Sequence, residues 1–285
     1  MFKRFELKKN ENENLRIEGY LWPVKDAKYV FCIVHGTGEY SERYDRMAKY
    51  LNGREIAVIS MDLRGHGRST GKRGDCAPRE AVLSDIDTML MYAKKKYQGI
   101  SLVLYGHSMG GNIGLDYMKL GHRNDIPAAY IISAPWIRLV KTVVPRPLYA
   151  FVRVFAKIWP QMTISTGINS STLGNKKVVG NYDGNPLIHK NISLRSALDG
   201  VDIGRALEAG TWESNGGADN KPLILMHGTE DRLCDIKGTI GVAVNERKRC
   251  EFIPWVGLYH EIHNGGANSC GDEVLEKIGD LITTL

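Results

Sequence analysis

The chain has 285 residues, enough for one large domain or for a core that carries a sizeable insertion. Hydrophobic residues make up 43% and charged residues 25%, which excludes a disordered chain, and a formal net charge of +6 without a dense Lys/Arg run excludes a nucleic-acid groove. The start, Met1-Phe2-Lys3-Arg4-Phe5-Glu6, lacks the apolar centre of a signal peptide, no run of about 18 apolar residues spans a membrane, and five cysteines without CxxC spacing fit neither a disulfide framework nor a zinc site, so a cytoplasmic globular protein is expected.

Residues 15–22, 29–34 and 56–61 read as strands, the second and third as continuous apolar runs of the kind buried on both faces. A helical pattern covers 41–51. Over 78–97 a second helix is expected, because Val82, Ile86, Met89, Leu90 and Ala93 fall at helical spacing. A strand over 100–105 leads into a helix over 109–120, and 128–132 is another strand. Much later, 222–226 and 250–253 read as strands, and 236–248 and 272–285 as helices. Such alternation predicts a mostly parallel central sheet with helices on both faces.

The interruption shows no strand and is broken by Pro135, Pro145, Pro147 and Pro160. Within it Leu148, Phe151, Val152, Phe155, Ile158 and Trp159 share one helical face. The expected division is therefore a core of 1–134 and 207–285, with a helical cap of 135–206 over the C-terminal edge of the sheet. Open α/β sheets bind ligands at that edge.

The sharpest signal is Gly106-His107-Ser108-Met109-Gly110-Gly111, between an expected strand and an expected helix. That is the setting of the G-x-S-x-G nucleophile elbow of the α/β-hydrolase fold. The tight turn needs small neighbours and pushes the serine hydroxyl into the cleft. A hydroxyl needs a base, and the base needs an orienting carboxylate, in the chain order Ser, Asp or Glu, His. Asp231, after the strand in His227-Gly228-Thr229-Glu230-Asp231, is the expected acid, with Glu230 as the neighbour that could displace it. His260 is the expected base, with His263 as the alternative. The backbone N–H groups of Met109 and of Thr37, in His35-Gly36-Thr37-Gly38-Glu39, are the expected oxyanion donors. The glycine-rich stretch from Asp62 to Ser69 reads as structural, its charged side chains tying the loop to the core. No metal is expected, since His260 and His263 stand at i and i+3 rather than the i and i+4 of a zinc-binding helix.

With these residues in hand, the sequence resembles the monoacylglycerol lipase group of α/β hydrolases, a set that includes lysophospholipase-like and serine aminopeptidase S33 hydrolases. The matching stretches are 35–44, 62–69, 106–111, 133–135, 182–187, 227–234 and 259–261. The resemblance implies a serine hydrolase of single-chain acyl esters, without a cofactor, with Ser108, Asp231 and His260 as its triad. It also implies an apolar, mobile cap that docks on membranes, and a cysteine, Cys234, near the glycerol end of the pocket. The apolar cap stripe, with Leu148, Phe151, Phe155 and Trp159, is expected to house the acyl chain, and Arg146, Arg153 and Lys157 to favour anionic lipid surfaces. A lysophospholipase, a short-chain or aromatic carboxylesterase, a peptidase or a thioesterase with the same triad remain alternatives, as does a non-catalytic ligand-binding protein on this fold.

Overall fold

The continuous apolar runs become neighbouring strands with a layer of helices on each face. The computed structural model describes residues 1–10, 14–141 and 146–285. In chain order its elements are β1 (Lys3–Asn10), β2 (Leu15–Trp22), β3 (Tyr29–Val34), α1 (Asp45–Asn52), β4 (Ile56–Met61), α2 (Arg79–Lys96), β5 (Ser101–His107), α3 (Met109–Leu120), β6 (Pro127–Ser133), α4 (Arg146–Ile158), β7 (Thr163–Ser165), α5 (Lys176–Val179), β8 (Asn191–Ser193), α6 (Leu194–Ala209), β9 (Leu223–Gly228), α7 (Ile236–Asn245), β10 (Cys250–Trp255) and α8 (Asp272–Thr283). Among the described residues, eight strands form one sheet in the order β1-β2-β4-β3-β5-β6-β9-β10. β2 runs antiparallel to both of its neighbours, β1 and β4, and every other pairing in this sheet is parallel.

Alternate side chains of a strand point to opposite faces, so a strand that is apolar throughout needs two cores. In β3, Val30, Cys32 and Val34 join a cluster with side chains of α2, α3, α6 and α7. Phe31 and Ile33 join a second cluster with α1 and α8. β5 divides in the same way, Leu102 and Leu104 to the first cluster, Val103 and Tyr105 to the second. Each such side chain, fully buried, contributes about 1.5–3 kcal/mol. The parallel register aligns Val34 with Gly106, Gly106 with Ile132, and Ile132 with Leu225. The loops that leave β3, β5, β6 and β9 therefore open at one edge of the sheet.

Several elements differ from the sequence pattern. β1 lies on a charged segment in which Phe5 and Leu7 alone pack against the first cluster, Phe5 stacking on Tyr92 at 4.3 Å. The interruption, expected to hold no strand, contains β7 and β8, an antiparallel pair too short to show periodicity. The helix expected over 41–51 divides into a 3-10 turn, Ser41–Tyr44, and α1. α6 runs through the expected cap boundary at 206 and packs against α3 and α7. Pro145 and the side chain of Arg146 lie outside the described residues. No helix among the described residues is long and apolar enough to cross a membrane.

The loop after β4 is tied down by one carboxylate. Asp62 is fully buried. Its Oδ1 accepts from the Ser41 N–H at 2.8 Å, and its Oδ2 accepts from the Tyr20 hydroxyl and the Arg68 N–H, each at 2.8 Å. Ser69 donates to the Asp62 carbonyl at 2.6 Å and accepts from the Glu18 N–H at 2.9 Å. His66 is buried against the His189 ring at 4.6 Å, its Nδ1 donating to the Arg64 carbonyl at 2.9 Å. Asp62→Ala would leave a hydroxyl and two backbone N–H groups without acceptors. At about 1–3 kcal/mol each, urea unfolding should show a loss of at least about 3 kcal/mol; a loss under about 1 kcal/mol would contradict the anchoring role.

Candidate active site

β5 and α3 meet with no spacer, and the residue between them is strained. Ser108 stands at φ +57°, ψ −118°, a left-handed conformation that costs a non-glycine residue about 1–3 kcal/mol. Its own backbone bonds hold it there. The Ser108 N–H donates to the Ser133 carbonyl at 3.0 Å, and the Ser108 carbonyl accepts from Gly111, Asn112 and Trp136 at 3.0, 3.0 and 2.9 Å. The turn also brings α3 against the end of β3. A Cβ on Gly110 would lie 2.2 Å from the Val34 carbonyl oxygen and 2.4 Å from that of His35, so only glycine fits.

His260, in the loop after β10, is almost fully buried. Its Nε2 lies 2.8 Å from the Ser108 Oγ, and its Nδ1 lies 2.7 Å from the Asp231 Oδ2. A carboxylate only accepts, so Nδ1 carries the proton and Nε2 is left to accept from the serine. Asp231 is aimed by the turn after β9: its Oδ1 accepts from the Leu233 and Cys234 N–H groups at 2.7 and 3.0 Å. Acid and base loops lie backbone to backbone, since a Cβ on Gly228 would be 2.3 Å from the Leu258 carbonyl oxygen. The two rivals fall elsewhere. Glu230 is exposed, and the His263 ring stacks on Tyr44 at 5.2 Å.

Electrostatics agree with the geometry. Burial opposes a charged His260, but the neighbouring Asp231 carboxylate outweighs it and raises the imidazole above its ordinary 6.5. Burial would likewise raise Asp231, yet His260 and His227 hold it well below the usual carboxylate range. A neutral base is thus lost as pH falls through a value above 6.5, while the acid stays ionised throughout that range. Burial, and then Asp231, push the Cys234 thiol well above its ordinary value. Asp231, Cys234 and His260 are the one group of potential metal ligands among the described residues, their ligand atoms within 4.8 Å of one another. With both imidazole nitrogens in hydrogen bonds and the thiol protonated, the arrangement suits proton transfer rather than a cation.

The expected oxyanion donors flank the serine. Thr37 lines the small cavity over Ser108, together with Gly36, Glu39, Arg43, His107 and His260. Met109 is the first residue of α3, where N–H groups have no intrahelical acceptor. The loop carrying Thr37 is fixed by Glu39, whose Oε1 accepts from the Gly36 N–H at 2.6 Å and the Tyr44 hydroxyl at 2.9 Å. Arg43 pairs with Glu39 at 2.5 Å and, through two bonds of 2.6 and 2.8 Å, with Glu261 beside the base. Its guanidinium also lies over the Tyr182 ring of the cap at 4.8 Å. Sequence reasoning quoted Glu39 and Arg43 without a role; their i, i+4 spacing was the available signal.

The cap differs from expectation. Its side chains at the cavity are Ile168, Leu173 and Tyr182. Leu148, Phe151 and Trp159 are exposed by 51%, 65% and 53% on the outside, and Phe155 is half-buried between Phe151 and Trp159. Helical periodicity shows that a face is apolar; it does not show which way the face points.

Known proteins share this architecture. A family model described as "Serine aminopeptidase, S33" matches residues 25–266. The monoacylglycerol lipase of Mycolicibacterium smegmatis is 28% identical over 260 residues, covering 88% of each chain. The human monoglyceride lipase is 29% identical over 255 residues, covering 86% of this chain and 79% of its own. A solved structure of a soluble variant of Saccharomyces cerevisiae monoglyceride lipase, in complex with a substrate analog, superposes with a TM-score of 0.83 at 24% identity, covering 98% of this chain and 95% of that one. With the model matched over most of its length, the chain belongs to the serine aminopeptidase S33 family and carries the α/β-hydrolase fold.

Proposed function

We propose that the protein hydrolyses carboxylic esters of single-chain acyl lipids, monoacylglycerols first among them, through an acyl-enzyme on Ser108. The observation that carries the reading is the unbroken chain Ser108 Oγ–His260–Asp231, at 2.8 and 2.7 Å, beneath a cavity whose cap side bears Ile168 and Leu173. His260 Nε2 takes the Ser108 proton as Oγ attacks the ester carbonyl. The N–H groups of Thr37 and Met109 hold the oxyanion, each such donor worth about 3 kcal/mol. The imidazolium, held by Asp231, gives its proton to the departing glycerol oxygen. Water, deprotonated by the same imidazole, then attacks the acyl-enzyme, and the fatty acid leaves with Ser108 restored. Each acyl methylene buried under the cap contributes about 0.8 kcal/mol, which favours long chains. The names of the relatives, monoacylglycerol and monoglyceride lipase, support the glycerol head group. A panel of monoacylglycerols, lysophospholipids and p-nitrophenyl esters, with Ser108→Ala as the control, should peak at long-chain monoacylglycerols and fall to background in the variant. A peak at acetate or at a cinnamoyl ester would favour a short-chain or aromatic esterase instead, and a peak at lysophospholipids a lysophospholipase.

The outward face of α4 supports membrane docking. Leu148, Phe151, Val154 and Ile158 are exposed, and Trp159, Met162 and Ile164 extend the apolar patch beyond the helix. Monomeric soluble proteins rarely keep such a surface unless something covers it. Arg153 and Lys157, also exposed, would meet anionic head groups. Phe151→Asp with Ile158→Asp should abolish co-sedimentation with phosphatidylglycerol-containing vesicles and lower hydrolysis of vesicle-borne monoacylglycerol at least about tenfold, while hydrolysis of soluble p-nitrophenyl acetate is unchanged. Equal loss on both substrates would contradict docking by this face.

A further inference from the structure

Behind the acid lies another histidine that sequence order excluded from the triad. His227, in β9, is completely buried. Its Nε2 is 3.1 Å from the Asp231 Oδ2 and 3.1 Å from the Cys234 carbonyl oxygen. Both neighbours are acceptors, so Nε2 must carry a hydrogen. Its Nδ1 is 2.8 Å from the hydroxyl of Thr239, a buried residue of α7. A hydroxyl can donate to a bare Nδ1, so the neutral ring is satisfied at both nitrogens only as the Nε2–H tautomer. Asp231 then receives two donors on each oxygen: Leu233 N–H and Cys234 N–H on Oδ1, His260 Nδ1–H and His227 Nε2–H on Oδ2. Every lone pair of the buried carboxylate is filled.

We propose that His227 is a positioning residue of the hydrolase: its Nε2–H fixes the Asp231 carboxylate in the orientation that meets His260 and, by sharing Oδ2, limits the pull of that carboxylate on the imidazole. The proposal rests on the reading of Ser108, His260 and Asp231 as the reacting chain. Packing alone does not account for the residue, because an apolar side chain of the same size would leave a lone pair of a buried anion facing hydrocarbon. Besides Asp231, His260 is faced by the His107 ring at 4.8 Å and by the Cys234 thiol, and Glu261 follows it in the chain; none of these replaces the donor at Oδ2.

Two measurements test it. In wild-type protein labelled with 15N-histidine, nuclear magnetic resonance at neutral pH should show His227 as the Nε2–H tautomer; an Nδ1–H tautomer overturns the proposal and needs no variant. Kinetics on p-nitrophenyl butyrate, expressed per fluorophosphonate-reactive site, give the second. His227→Leu should lower kcat by about tenfold or more, the worth of one charge-assisted hydrogen bond. It should leave KM unchanged and move the acid limb of the kcat/KM profile to higher pH, because Asp231 then acts on His260 alone. His227→Gln, which keeps an N–H at the same reach, should restore both rate and profile. An unmoved acid limb in the leucine variant, or a glutamine variant no better than leucine, would overturn it. If His227→Leu does not fold, the tautomer decides alone. A failure of the triad reading itself would be distinguished by Ser108→Ala retaining wild-type activity, an outcome independent of the His227 tautomer.

Discussion

The left-handed backbone of Ser108 is the constraint on which the rest of the site depends. A strand that ends and a helix that begins on adjacent residues leave no room for relaxation, so the hydroxyl is presented at a fixed point on the sheet edge. The cost, about 1–3 kcal/mol, is offset by the four backbone bonds at Ser108 and by burial around β5, whose neighbours on both sides run parallel to it. That parallel register brings the turns carrying Thr37, Asp231 and His260 to the same edge, and convergence of residues far apart in sequence follows from it.

Charge at this edge is arranged in two buried chains. One runs from Asp231 through His260 to Ser108; the other runs from Glu39 through Arg43 to Glu261. Buried ions are tolerated only when paired and hydrogen-bonded, and removal of one partner is far more costly than the pair is favourable. The second chain therefore works as a clamp. It joins the loop of Thr37 to the loop of His260, and it reaches the cap through Tyr182. Further bonds hold the cap closed on the core: Glu261 N–H to the Leu173 carbonyl at 2.7 Å, His189 N–H to the Gly38 carbonyl at 3.0 Å, and Asn185 to the Tyr40 hydroxyl at 2.7 Å. Entry of a long acyl chain has to loosen some of these contacts, and the apolar outer face of α4 lies on the element that would move against a lipid surface.

Much of this was legible in the sequence. The runs at 29–34 and 56–61 fix the central strands because a run with no polar position has to be buried on both sides, as the division of Val30 and Phe31 between two cores shows. The elbow was legible because tight turns restrict residue type, and Gly110 faces backbone atoms. The choice of Asp231 over Glu230, and of His260 over His263, needed coordinates to resolve, since adjacent or near-adjacent side chains differ only in direction. β1 was not legible, having two apolar side chains among charged ones, and neither were the three-residue strands β7 and β8. The orientation of α4 was lost for a general reason. Leu148, Phe151 and Trp159 form an apolar stripe whether they face a core, a substrate or a membrane, and the periodicity is the same in each case. The donor role of His227 depends on contacts with Asp231, Cys234 and Thr239 that no local pattern encodes.

The most direct measurement of the central claim, that the relay makes one serine oxygen a nucleophile, is mass spectrometry of the protein after reaction with a fluorophosphonate. The account predicts a single covalent adduct, mapped to the peptide containing Ser108, formed rapidly in the wild type and slowed by orders of magnitude in His260→Ala. An adduct on another residue, or labelling of Ser108 that proceeds equally fast without the imidazole at 260, would contradict it.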